Sequence, residues 1–342
     1  MSTEPFNMVT GISQPTEATL QSGFDPFWQW EQIHLRVKMV LRQQIAGLQS
    51  AGNQHVKWLQ LQEITDPEFV NNIVKLATEI DEISGKATDA SVFAITQLGL
   101  TGCPVTHSMR TAFVSSLIAR DLGMSEAERQ VLVCAALTMN IAMIDLQETL
   151  HKQTGPLSVA QRTAIKTHPT RGRECLETFG ISNQDWLRAV AEHHEIAGGK
   201  GYPAGLTTVF PLAEVIQYAD TYCAMTRPRA NRKALQSNRA AYKLFIAATA
   251  RTSSIPALIV KMLGIYSPGS FVKLANGEIA VVVRRGQVAK APKVCSLCDR
   301  TGVSYTTPTH RDTAVPEFAV IDMVPAEEVK LPMNPSKLFG YE

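Results

Sequence analysis

The sequence predicts a mainly α protein: a helical bundle preceded by an N-terminal helical segment and followed by a small C-terminal β appendage. Three observations predict this. Apolar residues recur at helical spacing from Phe24 to about Asp220. Beyond Gly264 the period switches to alternation, with Phe271, Val272 and Leu274, the dipeptide Asn276-Gly277, then Ile279, Val281 and Val283, a strong hairpin signal. Finally, His107, His168, the His193-His194 pair and Asp220 fall on four separate helical segments, as in sites assembled between the helices of a bundle.

With 342 residues, 45% hydrophobic and 19% charged, the chain has enough apolar content for one sizeable core with smaller flanking pieces. A formal net charge of +2 gives no electrostatic case for a nucleic-acid or membrane-surface partner, and leaves room for a small anionic ligand. Residues 1–22 hold Glu4 and Glu17, no basic residue and no apolar centre, so they read as a mobile tail and not as a targeting segment. No uninterrupted apolar run reaches the roughly 18 residues of a membrane span. The expected location is therefore the cytoplasm, where the six cysteines are reduced thiols.

Trp28, Ile33, Val37, Val40, Leu41 and Ile45 form the first helical stripe, with Gly47 near its end. A second runs from about Asp66 through Phe69, Ile73, Leu76 and Ile80. These stripes suit core packing, and such a piece also suits a dimer or sensor contact. Pro104 opens a helix carrying His107, with Phe113, Val114, Leu117 and Ile118 as its buried face and Gly123 as its stop. Ser125 with Glu128, and Ser158 with Gln161, are capping-box pairs; the first helix reaches Met139 and the second is expected to end near His168. Asn183 or Ser182 caps the helix through Trp186 to His193, and Pro211 starts the helix carrying Asp220. A basic run, Arg227, Arg229, Arg232 and Lys233, follows. Phe318, Val320 and Ile321 add a strand, and the last ten residues read as loosely ordered. Cys295 and Cys298 have the spacing of half a zinc site, but without a second pair they read as reduced thiols in a hairpin.

The chain is organised around His193-His194-Glu195 and the glycine-rich loop leading to Gly201-Tyr202-Pro203. Two adjacent imidazoles at a helix end can both turn into one cavity, and imidazole is the commonest protein metal ligand. From about residue 86 to 284 the chain resembles the HD-GYP branch of the HD-domain phosphohydrolases, whose active members hydrolyse cyclic di-GMP. The resemblance rests on His107-Ser108, the stretch from His168-Pro169 to Gly172, His193-His194-Glu195 with residues 199–203, and Ala219-Asp220 followed by Ala224-Met225-Thr226, Arg229 and Arg232. It implies an HD-domain bundle over residues 86–264, while the helical stripes before it give an N-terminal helical region over 23–85 and the change of period at Gly264 gives a β-rich appendage over 265–342. It also implies metal ligands at His107, His168, His193, His194 and Asp220, and dinucleotide contacts at Tyr202, Arg229 and Arg232, where planar guanidinium groups suit phosphates and guanine edges.

The chain departs from the family at the pair that names it. The His-Asp of the family, followed by Ile-Gly-Lys, aligns with Met139-Asn140-Ile141-Ala142-Met143. A neutral amide at Asn140 brings no charge to offset the repulsion between two bridged cations, the Met139 thioether is too soft for the ions of phosphoester hydrolysis, and Met143 removes a lysine. Cys103 and Gly198 stand where some members carry carboxylates. The expectation is a degenerate HD-GYP protein of bacterial cyclic-di-GMP signalling, catalytically impaired, acting as nucleotide receptor or protein-interaction module. Its retained positions hold one divalent transition metal (iron or manganese), or else are relics satisfied by hydrogen bonds. Two alternatives stay open: a phosphodiesterase with a reduced metal site, recruiting Asp145 or Cys103, and a dimeric scaffold that binds no nucleotide.

Overall fold

The structure is a computed structural model that describes residues 24–50, 66–98, 104–228, 230, 232–248, 253–331 and 333–341, the side chains of 44–50, 98 and 248 aside. The tail 1–22, Cys103 and Arg229 lie outside the described residues.

Helix α1 (Pro26–Ser50) buries Trp30, Ile33, Val37, Val40 and Leu41, a stripe at three-and-four spacing. Trp30 donates from Nε1 to Ser91 Oγ at 2.8 Å and meets the Phe113 ring edge-on at 5.4 Å. Helix α2 (Pro67–Lys86) begins where the Asp66 carboxylate accepts from the Phe69 N–H at 2.9 Å, and α3 (Thr88–Leu98) follows after a single break.

Helix α4 (Pro104–Asp121) is buried at every position from Pro104 to Ala119 and forms the axis of the bundle. Its neighbour α5 (Glu126–Thr138) opens with the expected reciprocal cap: Ser125 Oγ accepts from the Glu128 N–H at 3.3 Å, and the Glu128 carboxylate accepts from the Ser125 N–H at 2.8 Å. Asp81 on α2 fastens both helices, accepting from Ser116 Oγ (2.6 Å), Arg120 Nη2 (2.6 Å) and Arg129 Nε (3.1 Å). A turn at Met139-Asn140 and one 3-10 turn (Ile141–Met143) lead into α6 (Ile144–Lys152). The stretch Glu126–Lys152 has the length and apolar content of a membrane span, but 67% of its most apolar window is buried inside the protein. Its apolar side chains thus serve the bundle core.

Helices α7 (Val159–Thr178), α8 (Gln184–Glu192) and α9 (Pro211–Met225) complete the walls around α4 and α5, and α10 (Ser237–Ala248) and α11 (Ile255–Leu263) close one side. The helices of residues 26–86 share one continuous core with this bundle.

Strands β1 (Phe271–Leu274), β2 (Ile279–Arg284), β3 (Lys293–Cys298), β4 (Ser304–Asp312) and β5 (Val320–Val324) form an antiparallel sheet in the order β4-β3-β2-β1-β5. The β1–β2 turn needs Gly277 at φ +90°, a region that costs glycine nothing. One face of the sheet, with Phe271, Val281, Val283, Cys295 and Leu297, packs on Phe93 of α3. The other gathers Val272, Leu274, Ala280, Val282 and Val294. Cys295 and Cys298 are buried free thiols, and Cys295 lies opposite His310 in the register of β3 and β4.

The last ten residues differ from expectation. Helix α12 (Pro335–Phe339) buries Leu338 and Phe339, and the Phe339 ring meets Phe27 at 5.0 Å and Phe93 at 5.3 Å. Ser336 Oγ donates to Asp25 at 2.6 Å. The segment is too short for a periodic signal, so its order comes from tertiary contacts that sequence spacing does not display.

Glu278 is the buried charge of the sheet. It accepts from Arg311 Nη2 (2.7 Å) and Nε (3.0 Å), from Tyr305 Oη (2.9 Å) and from Ser296 Oγ. The Arg311 hydrogen bonds outweigh desolvation and hold its carboxyl down to about 2 from 4.5. A depressed carboxyl stabilises the fold fully above its unfolded value and loses that stabilisation as pH falls through its folded value. Glu278→Gln should therefore cost on the order of 3 kcal/mol at neutral pH. The gap between variant and unmodified protein should close as pH drops from 4.5 towards about 2, read from urea midpoints across that range.

Candidate functional site

The site lies where α4, α7, α8 and α9 converge. His168 sits in the middle of α7, which does not stop at His168 as the sequence suggested but continues through Pro169 to Thr178. The proline has a local consequence. It lacks the N–H that would have bonded the Ile165 carbonyl, and that carbonyl instead accepts from His168 Nδ1 at 2.7 Å. On α8, the Val190 carbonyl is one of the last-turn acceptors left without an intrahelical partner, and it accepts from His193 Nδ1 at 2.7 Å.

A ring nitrogen that donates to a carbonyl carries the proton, so in both neutral rings Nε2 is a bare acceptor. These two Nε2 atoms face each other at 3.1 Å. Both residues are buried, and burial, followed by neighbouring His194, pushes His168 down to about 4 and His193 down as well, so neither ring is protonated at neutral pH. Two opposed lone pairs in a buried place repel unless something positive lies between them. His194 completes the group, the ligand nitrogens of His168, His193 and His194 all lying within 4.8 Å of one another. Two nitrogens bound to one ion at about 2.1 Å, at angles of roughly 90–110°, stand about 3.0–3.4 Å apart, so the His168–His193 spacing fits a single transition-metal ion. The carbonyl partners of the far ring nitrogens are the usual support of metal-binding histidines.

His107 and Asp220 are held apart from this group as a pair, Nε2 to Oδ1, at 2.6 Å. Burial opposes the Asp220 charge, but the His107 hydrogen bond and the nearby His194 and His193 outweigh it and hold the carboxyl below the ordinary carboxylate range. Burial lowers His107 despite its partner. The pair is thus a neutral imidazole donating to a carboxylate, and it leaves buried His107 Nδ1 without a hydrogen-bond partner.

Glu195 organises the loop. Its buried carboxylate accepts from the N–H groups of Ala204 (2.6 Å), Gly205 (3.1 Å) and Leu206 (3.0 Å), while Tyr202 N–H bonds the His194 carbonyl at 3.2 Å. The Tyr202 ring consequently stacks on His194, centroids 4.7 Å apart and planes 27° from parallel. Gly201 passes so close to the segment it folds back on that a Cβ would lie 2.2 Å from Ile196 N and 2.4 Å from Glu195 Cα. Neither backbone atom can yield. Gly201→Ala should unseat Tyr202, and Glu195→Gln should expose the Ala204, Gly205 and Leu206 amides, accelerating their hydrogen exchange by at least about tenfold. Exchange unchanged in both variants would show that the loop is held by other contacts.

Met139 and Asn140 are buried at the end of α5, and Met143 closes the 3-10 turn that packs against α7. Asp145 is exposed in the first turn of α6. Of the basic run, Arg227 is buried, not solvated; Lys233 meets Glu327 at 3.5 Å, and Arg232 donates from Nη2 to the Ala224 carbonyl near the end of α9. Sequence reasoning overlooked Arg110, which is buried one turn beyond His107 and donates to Thr226 Oγ1 at 2.8 Å, tying the helix of His107 to that of Asp220. An arginine in a helix buried along its whole length was the available signal.

Residues 101–249 match the family model described as HD domain. That stretch of the chain is thus similar to HD domains. The 3'3'-cGAMP-specific phosphodiesterase 3 of Vibrio cholerae is 31% identical over 137 residues, covering 39% of this chain and 29% of that protein. The cyclic di-GMP phosphodiesterase response regulator RpfG of Xanthomonas campestris is 31% identical over 130 residues, 36% of this chain and 34% of that one. The matches thus span about a third of each of these relatives. Bd1817, a HDG"Y"P protein from Bdellovibrio bacteriovorus, shares the fold with a TM-score of 0.55 and 16% identity, over 72% of this chain and 76% of that one.

Proposed function

We propose that this HD domain is a degenerate cyclic-dinucleotide module of bacterial signalling: it holds one divalent iron or manganese ion, takes up a cyclic dinucleotide, and does not hydrolyse it at a useful rate. The observation that carries the reading is the asymmetry of the site. Three imidazoles converge on one wall, whereas the neighbouring turn offers Met139, Asn140 and Met143 where hydrolysis needs a histidine, a bridging carboxylate and a cation.

The fit to an ion rests on His168, His193 and His194, whose opposed lone pairs ask for a positive charge. An ion held there by His168, His193 and His194 would supply Lewis acidity for a phosphate group. The chain's own residues do the rest: Glu195 fixes the loop, Tyr202 presents a ring edge and face beside the histidines, and Arg232 supplies a guanidinium group near the end of α9, with Arg229 three positions before it in the sequence. A hydrolytic reading draws support from Asp220, an ionised carboxylate beside the histidines.

Calorimetric titration with cyclic di-GMP and 3'3'-cGAMP, with product analysis on the same samples, tests the proposal. Binding without linear product is expected, with Tyr202→Ala weakening it about tenfold or more through lost base stacking. Absence of binding to either nucleotide would favour the scaffold reading.

A further inference from the structure

Helix α1 has a second face that the described residues leave uncovered. Trp28, Leu35 and Met39 are 60%, 53% and 61% exposed and form one stripe along the helix, opposite the buried stripe of Trp30, Ile33, Val37 and Leu41. Large apolar side chains grouped on one helical face mark an interaction site far more often than scattered ones do. Glu31 and Lys38 flank this stripe on the same side, seven residues apart, and neither forms an ion pair among the described residues.

We propose that this face pairs with the same face of a second copy, the two α1 helices running antiparallel about a two-fold axis at Leu35. The charge pattern selects this occupant and this direction. In an antiparallel pair related by such an axis, flanking positions on one side meet the same positions of the other copy in reverse order. Leu35 then meets Leu35 of the second copy. Glu31 stands one residue, about 1.5 Å along the axis, from Lys38 of the second copy, and Lys38 likewise from its Glu31. Trp28 comes level with Arg42 of the second copy and near its Met39, contacts that an indole favours as cation–π and sulfur–aromatic interactions. A parallel pairing would instead carry Glu31 and Lys38 of the two copies to opposite edges of the contact, where neither meets the other and both attractions are lost. Because the stripe lies on the side of α1 turned away from the bundle, the pairing leaves the histidine site open in both copies.

Sedimentation velocity on the full chain across about 1 to 100 μM tests the pairing. A concentration-dependent dimer is expected, weakened about a hundredfold by Leu35→Glu, which sets two carboxylates at the centre of the contact. Glu31→Lys alone and Lys38→Glu alone should each weaken it about tenfold, and the double swap Glu31→Lys with Lys38→Glu should return it to within about threefold of the unmodified chain. All three substituted residues lie on the side of α1 away from its buried stripe, and circular dichroism checks that the four variants fold. A chain that stays monomeric throughout, including one whose Trp28 fluorescence resists acrylamide because another segment of the same chain covers it, overturns the proposal. So does a dimer indifferent to Leu35→Glu, or a double swap that fails to restore association.

Discussion

Replacing His193 or His168 with alanine is expected to abolish ion binding at concentrations that saturate the unmodified chain, a loss of more than about 100-fold in affinity. Removing a hydrogen-bond partner behind a ligand commonly costs 10–100-fold, and removing the ligand itself costs more. His168 and His193 present their bare Nε2 atoms to one point 3.1 Å wide, each aligned by a carbonyl that the helix itself cannot use. His107→Ala should behave differently and stay within about tenfold of the unmodified protein, because His107 is engaged with Asp220 and not with the three-histidine group. Elemental analysis of the purified variants, loaded with manganese or iron and desalted, reads both outcomes. Equal loss in His107→Ala would mean that the ion draws on all five residues.

The second large effect is a gain. Met139→His with Asn140→Asp, and Met143→Lys if required, should raise cyclic-di-GMP turnover by at least about 10³-fold over the unmodified chain, the size of effect that transition-state charge stabilisation commands. The positions are suited to it. Both residues are buried at the end of α5, and the turn they begin packs on the helix of His168. A buried aspartate without a cation costs stability. The variant without metal should therefore melt below the unmodified chain, and added manganese should recover the difference. Folded, metal-loaded variant without turnover would place the defect elsewhere, with the Gly198 loop as the first suspect.

Much of the bundle was legible because amphipathic helices advertise themselves. The caps at Ser125, Ser158 and Asn183, the stop at Gly123 and the hairpin at Asn276-Gly277 are local, and local chemistry is written in neighbouring residues. Helix α7 shows where local rules mislead. Pro169 reads as a terminator, yet the helix absorbs it, and the unused Ile165 carbonyl is taken by His168. Helix α12 was missed because Phe339 is ordered by Phe27 and Phe93, residues hundreds of positions away. The histidines and Asp220 could be named from the sequence, but not the division into a group of three and a pair, which depends on how α4 and α9 are tied together by Arg110 and Thr226. Glu195 could be seen beside the histidines, whereas its three amide partners appear only once the glycine loop has folded back.

The most direct test of the account is hydrolysis of cyclic di-GMP by the unmodified chain, loaded with manganese or iron, with His193→Ala as the blank. The account predicts no linear product above that blank over many hours, alongside measurable binding of the intact nucleotide. Robust turnover by the unmodified chain, abolished in His193→Ala, would contradict it and make the protein an active phosphodiesterase that works without the missing His-Asp pair.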